Sequence, residues 1–171
     1  MAIALRHLEA SDIEDLHALT SRMDVVRYML LPLCTRAQSE EFLRDAMAGA
    51  SGLSVVRAIC ECGRLVGLGG LAMLRGTEEG ELWYLVAPDD WGRGIATAAA
   101  GQFLKLGFGE LGLHRVWATC LPENPGSARV LEKVGMRREG LLVKNLKIHG
   151  EWKSSYLYAM LAGEWRGAGQ G

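Results

Sequence analysis

No stretch of the sequence approaches the ~20 consecutive apolar residues that a bilayer crossing needs, and Met1 to Arg6 lacks a basic flank followed by a long apolar run. Neither a membrane span nor a secretory leader is expected, and the expected setting is cytoplasmic. Charge of one sign is lacking too. With 19 Lys and Arg against 20 Asp and Glu, no whole-chain field gathers nucleic acid or an anionic membrane, so any anionic ligand must be held locally. Cysteine is sparse: Cys34, Cys60, Cys62 and Cys120 include one close pair, Cys60-Glu61-Cys62, with no second pair at zinc-ligand spacing. No metal is expected. A disulfide framework needs more pairs in a smaller chain, which leaves reduced, buried thiols.

What is present is apolar surface, 49% of 171 residues, enough for one domain with a core of its own. Its periodicity changes along the chain. Ile3 to Leu8 reads as a strand, and Ser11-Asp12 offers an N-cap to a helix carrying Ile13, Leu16, Leu19 and Met23. After Pro32, Thr35 can cap a second helix with Phe42, Leu43 and Met47, ended by Gly49 and Gly52. This helical pair is expected to border a cleft. Leu53 to Cys60, Arg64 to Leu74 and Glu81 to Val86 read as a three-strand meander. Then come a long helix from Ile95 to Gly109, a strand from His114 to Leu121, and a helix from Pro125 to Val134 ending at Gly135. The segments 136 to 148 and 151 to 162 close the domain as a hairpin. Residues 1–162 form the expected domain and 163–171, with four glycines, a tail.

Two segments carry chemistry. Trp91-Gly-Arg-Gly-Ile-Ala-Thr97 stands between a strand and a helix. Its glycines let backbone approach a ligand, and the first amides of the helix point outward at positive partial charge, which makes an anion site. Gly94 is followed by Ile95-Ala96 rather than the Lys-Ser or Lys-Thr of a P-loop, and Ala98 replaces the last glycine of a dinucleotide fingerprint. Arg93 could add a charge-assisted contact to a pyrophosphate. In the second segment, Asn124 can cap a helix with Pro125 at its first position, leaving the Ser127 hydroxyl free to face a cleft.

Glu81-Leu-Trp-Tyr-Leu-Val-Ala-Pro, Trp91-Gly-Arg-Gly-Ile-Ala-Thr-Ala-Ala, His114-Arg-Val-Trp-Ala-Thr, Asn124-Pro-Gly-Ser-Ala-Arg-Val-Leu-Glu-Lys-Val-Gly-Met and Glu139-Gly together resemble the GNAT (Gcn5-related N-acetyltransferase) superfamily. Within it they resemble the RimJ/RimL-like branch of ribosomal-protein N-terminal acetyltransferases, over roughly Ala2 to Ala162. The resemblance implies an α+β domain with a mixed, mostly antiparallel sheet splayed between the fourth and fifth strands and flanked by helices. It implies acetyl-CoA as cofactor, with pantetheine lying in the splay beside Leu85 and Val86. Trp91, Gly92, Arg93, Gly94, Ile95, Ala96 and Thr97 would hold the pyrophosphate, with Asn124 and Ser127 completing the cofactor site.

The sequence departs from the superfamily where Trp91 replaces Gln or Arg, Leu131 replaces a tyrosine acid, and Leu146 replaces the base glutamate of some relatives. By resemblance, Ser127 becomes the acid toward the departing thiolate and Glu81 the base. Tyr28, Met29 and Trp83 are the expected acceptor-site residues. An α-ammonium near pKa ~8 is free about one part in ten at neutral pH, against one in a few thousand for lysine, so a modest base favours a protein N-terminus as acceptor. The alternatives are a small amine such as an antibiotic, polyamine or amino acid, and a non-catalytic acyl-CoA sensor. The closing hairpin offers an edge through which a homodimer could form. His149-Gly150 reads as its turn; Tyr84, Trp152, Tyr156 and Tyr158 could line an acceptor pocket, although aromatic residues in strands are mostly core.

Overall fold

In the computed structural model, which describes residues 2–49 and 54–166, the chain alternates as the sequence periodicity requires. Strand β1 (Ile3–Arg6) leads to helices α1 (Ile13–Thr20), α2 (Met23–Val26) and α3 (Arg36–Ala48), then to strands β2 (Ser54–Glu61), β3 (Arg64–Met73) and β4 (Glu79–Val86). Helix α4 (Ile95–Lys105), strand β5 (Arg115–Cys120), helix α5 (Pro125–Lys133) and the strands β6 (Arg137–Ile148) and β7 (Glu151–Leu161) follow. Gly52 and Leu53, expected at the end of α3 and the start of β2, lie outside the described residues.

The strands make one sheet of seven in the order β1-β2-β3-β4-β5-β7-β6. Every neighbouring pair is antiparallel except β4 and β5. That pair is short: only Glu79, Gly80 and Glu81 face Arg115, Val116 and Trp117. Beyond Glu81 and Trp117 the two strands part, which is the splay the resemblance implies.

Side chains alternate across a strand, and β4 divides its residues between two cores. Leu82, Tyr84 and Val86 pack with Ile95, Ala99, Phe103 and Leu104 of α4 and Leu131 of α5. Trp83 and Leu85 pack on the other face with Leu16, Leu19, Val25, Val26 and Leu43 of α1 to α3. Helix α4 can lie close because Gly69 of β3 has no side chain: a Cβ there would meet Phe103 Cε2 at 2.6 Å and the Trp83 carbonyl oxygen at 2.9 Å.

The first helix ends earlier than its apolar spacing predicts. Met23 opens α2 and is 51% exposed. Asp12 is not the side-chain cap of α1; its carboxylate accepts from both guanidinium nitrogens of Arg6, at 2.7 and 2.6 Å, and from the Glu9 amide. Thr35 does cap α3, accepting from the Gln38 amide, and Gly49 ends it in the left-handed region at φ 59°. The long helix is α-helical to Lys105 and finishes in a widened turn, Leu106–Glu110. Of the thiols expected to be buried, Cys60 and Cys120 are, whereas Cys34 is half-buried and Cys62 is exposed in the β2–β3 turn at φ 49°. The expected tail begins with an ordered turn, where Glu164 accepts from the Leu161 amide and Trp165 packs on Phe108 at 5.8 Å between ring centroids. Residues 167–171 lie outside the described range. No described helix is long and apolar enough to cross a membrane, and no group of metal-binding side chains is present among the described residues.

Candidate active site

The parting of β4 from β5 opens a cleft of about 860 Å³ that passes through the sheet. Its floor at one end is the turn after β4. Gly92 and Gly94 take φ 75° and 80°, a region costly to any residue with a Cβ, and both lie on the surface. The first intrahelical bond of α4 runs from the Ala98 amide to the Gly94 carbonyl at 3.0 Å. The amides of Ile95, Ala96 and Thr97 therefore precede the helical ladder and point into the cleft mouth, a donor set that fits an anion such as a pyrophosphate. Trp91 fixes the turn: its indole nitrogen donates to the Val86 carbonyl at 2.8 Å, tying the glycines to the end of β4.

Asp90 holds the same turn from behind. It is 3% exposed and accepts from Arg64 at 2.9 Å and Arg93 at 2.6 Å. The Arg93 side chain, expected to reach a pyrophosphate, is instead occupied by Asp90 and by Glu61 at 2.8 Å, and it does not line the cleft. The cations that do line it from this side are Arg129 and Lys133, one turn apart on α5. A pair at i, i+4 on the face beside Ser127 was the sequence signal for them.

Asn124 caps α5 as expected, its side chain accepting from the Ser127 amide at 3.1 Å. This turns the first helical residues toward β4, and the Ser127 hydroxyl meets the hydroxyl of Tyr84 at 3.0 Å. The phenol also reaches the Ser127 carbonyl at 3.3 Å. Burial pushes the Tyr84 phenol well above its usual pKa, so at neutral pH it is a neutral hydrogen-bond donor. Leu131, where the superfamily has a tyrosine, is 1% exposed and belongs to the α4–α5 core.

Glu81 occupies the last paired position before the strands part. Being odd-numbered on β4, it shares the face of Trp83 and Leu85, opposite to Tyr84. Desolvation raises its pKa, which strengthens a carboxylate as a base. The cleft wall on this side comes from α2 and the segment after it rather than from α1 and α3: Val25, Tyr28, Met29 and Leu31 join Trp83 of β4 and Leu146 and Ile148 of β6. The Arg27 guanidinium lies 4.3 Å over the Tyr28 ring. Of the other lining carboxylates, Asp24 is paired with Arg22 at 2.9 Å, Asp90 is held at the glycine turn, and Glu123 precedes α5.

Thus Glu81, Trp83, Leu85, Val86, Trp91, Gly92, Gly94, Ile95, Ala96, Thr97, Asn124, Ser127, Tyr28 and Met29 all line one cleft, with only the Arg93 side chain turned out of it. Tyr84, which the sequence offered only as a strand aromatic, lines the same cleft, and alternation along β4 places it on the α5 face, where its contact with Ser127 was not foreseen.

Residues 3–137 match the family of acetyltransferase (GNAT) domains. The chain is 32% identical over 164 residues, 95% of either protein, to the uncharacterized N-acetyltransferase YnaD of Bacillus subtilis. It is 26% identical to the spermidine N(1)-acetyltransferase of Escherichia coli K12, over 90% of this chain and 83% of that protein. Among solved structures, Mycobacterium smegmatis RimJ in complex with CoA-disulfide superposes with a TM-score of 0.87 at 27% identity, covering 98% of this chain and 84% of that one.

Proposed function

Since the chain belongs to the GNAT acetyltransferase family, we propose that it acetylates the N-terminal α-amine of a protein or peptide, with acetyl-CoA as the consumed acyl donor. One observation carries the mechanism: Glu81 and Ser127 enter the cleft from opposite faces of β4. A base and a hydrogen-bond donor so divided serve an amine arriving from one side and a thiolate departing toward the other, without a covalent enzyme intermediate.

Acetyl-CoA supplies the thioester when bound; the amides of Ile95 to Thr97 are its anion donors, and the open edges of β4 and β5 accept its pantetheine arm. The amine nitrogen forms the new N–C bond while the C–S bond breaks and leaves its electron pair on sulfur. Glu81 takes the surplus proton of the amine and returns it to solvent. Ser127 donates a hydrogen bond to the sulfur, which takes its proton from water. Orientation in the cleft contributes most of the rate.

The acceptor follows from charge. At the parting of the strands Glu81 is the one lining carboxylate without a cation partner at its post, and the cleft wall on its side carries Met29, Leu31, Trp83, Leu146 and Ile148 along with Arg27 and Tyr28. That suits one positive charge followed by apolar chain, and the likeness to RimJ supports it. The spermidine N(1)-acetyltransferase relative favours a second reading, a small polyamine, but a polycation needs several carboxylates spaced along the wall.

The test is mass-spectrometric detection of acetyl transfer to a panel of peptides with varied N-termini, free lysine, spermidine and an aminoglycoside. Acetylation at a peptide α-amine is expected, with apolar residues in the first positions preferred. Modification of spermidine alone would replace the peptide reading with the second, and bound acetyl-CoA with no product would leave the sensor.

A further inference from the structure

We infer that Tyr84 is a positioning residue that turns the Ser127 hydroxyl toward the departing sulfur, doing from β4 what a tyrosine at the position of Leu131 cannot do in this chain. The inference rests on the reading of Ser127 as donor to that sulfur.

The two side chains come from elements 43 residues apart and meet across the splay. Tyr84 belongs to the α4–α5 core, where its ring is packed beside Val86 and Leu82 neighbours. Asn124 fixes Ser127 through its backbone amide. What remains free is the rotation of two hydroxyl groups, and the Tyr84 O–H has two acceptors: the Ser127 carbonyl at 3.3 Å and the Ser127 Oγ at 3.0 Å.

These acceptors define two arrangements of one pair. When Tyr84 donates to the carbonyl, the serine O–H can donate to the phenol oxygen and is engaged there. When Tyr84 donates to Oγ, the serine proton must point elsewhere, and the open side of Ser127 is the cleft. A thiolate forming there supplies the acceptor that selects the second arrangement. A hydroxyl that accepts one hydrogen bond also donates a stronger one. The phenol stays protonated throughout, because burial raises its pKa far above that of a thiol; no proton leaves Tyr84.

Tyr84→Phe removes one oxygen and keeps the ring in its packing. The expected result is a roughly five- to tenfold fall in kcat, the worth of one neutral hydrogen bond made in the transition state, with KM for acetyl-CoA unchanged. Tyr84→Phe and Ser127→Ala should not add: the double variant should turn over within twofold of Ser127→Ala alone, since Tyr84 acts only through Ser127. Coenzyme A release is followed with the best acceptor of the panel and, without acceptor, as hydrolysis of acetyl-CoA. Coenzyme A affinity by calorimetry and thermal melting check that the site is intact.

A Ser127→Ala protein with undiminished turnover removes the donor role of Ser127 itself, and this inference with it. Reduced turnover in Ser127→Ala with none in Tyr84→Phe removes only Tyr84. Additive losses mean that Tyr84 reaches the reacting atoms by its own path, which also overturns the inference.

Discussion

The His149 ring donates from Nε2 to the Val26 carbonyl oxygen at 3.3 Å, joining residues 123 apart in the chain. His149 stands in the β6–β7 turn in the left-handed region, φ 47°, and Val26 ends α2. The contact holds the Leu146 and Ile148 wall against the Tyr28 and Met29 wall, while α4 and α5 take no part in it.

Replacing His149 with Ala should loosen the acceptor side alone. A several-fold rise in KM for the peptide is expected with the dissociation constant of coenzyme A unchanged, measured by steady-state kinetics and calorimetry.

Glu81→Gln tests the base. Burial raises the Glu81 pKa above its unfolded value, so wild-type kcat should fall on acidification at a pH above the ordinary carboxylate range, and the residual rate of the variant should lack that limb. Stability runs the other way. A raised folded pKa favours the protonated form, a contribution complete below the unfolded pKa and lost as pH rises through the folded one. At neutral pH the Gln variant should therefore melt no lower than wild type.

Gly94→Ala forces a Cβ onto φ 80°. It should cost about 1–3 kcal/mol of backbone strain and weaken coenzyme A binding roughly tenfold by calorimetry, because the strained turn no longer aims the α4 amides. Saturating cofactor should restore most of kcat.

Asp90→Asn keeps one accepting oxygen but removes the negative charge that two arginines share. Losing a buried charge-assisted bond costs roughly 1–3 kcal/mol, or several degrees of thermal midpoint at this size. Arg93→Ala should cost less, since Arg64 still pairs with Asp90, and should leave coenzyme A affinity near wild type because its side chain lies outside the cleft.

Cys120 lies on β5 beside the cleft, and burial pushes its thiol up to about 11. At pH 8 about one molecule in a thousand carries the thiolate. Iodoacetamide followed by peptide mapping should label exposed Cys62 and spare Cys120, and Cys120→Ala should retain turnover, in keeping with direct transfer.

Much of this was legible in the residues because the signals were local. The Thr35 and Asn124 caps, the glycine turn at Gly92 and Gly94, and the alternation of β4 each depend on side chain and backbone within a few positions. The missing side-chain cap of α1 was not: Asp12 had a better partner in Arg6, six residues back on β1, than in the helix amides. Arg93 was misdirected for a like reason, since Glu61 is adjacent only after β2 and the β4–α4 turn come together. The Tyr84–Ser127 and His149–Val26 contacts bridge 43 and 123 residues, and no local pattern encodes a meeting of that range.

From Leu82 onward β4 is bonded to β3 on one side and has no strand on the other, while β5 keeps β7 along its whole length. An unpaired strand edge on the outside of a protein invites foreign chains to add themselves to the sheet. Here the same hazard is turned inward, because the open stretch of β4 lines the cleft. An extended guest that carries amides of its own can pair with that edge as a missing strand would, so the gap in the sheet is itself a binding element.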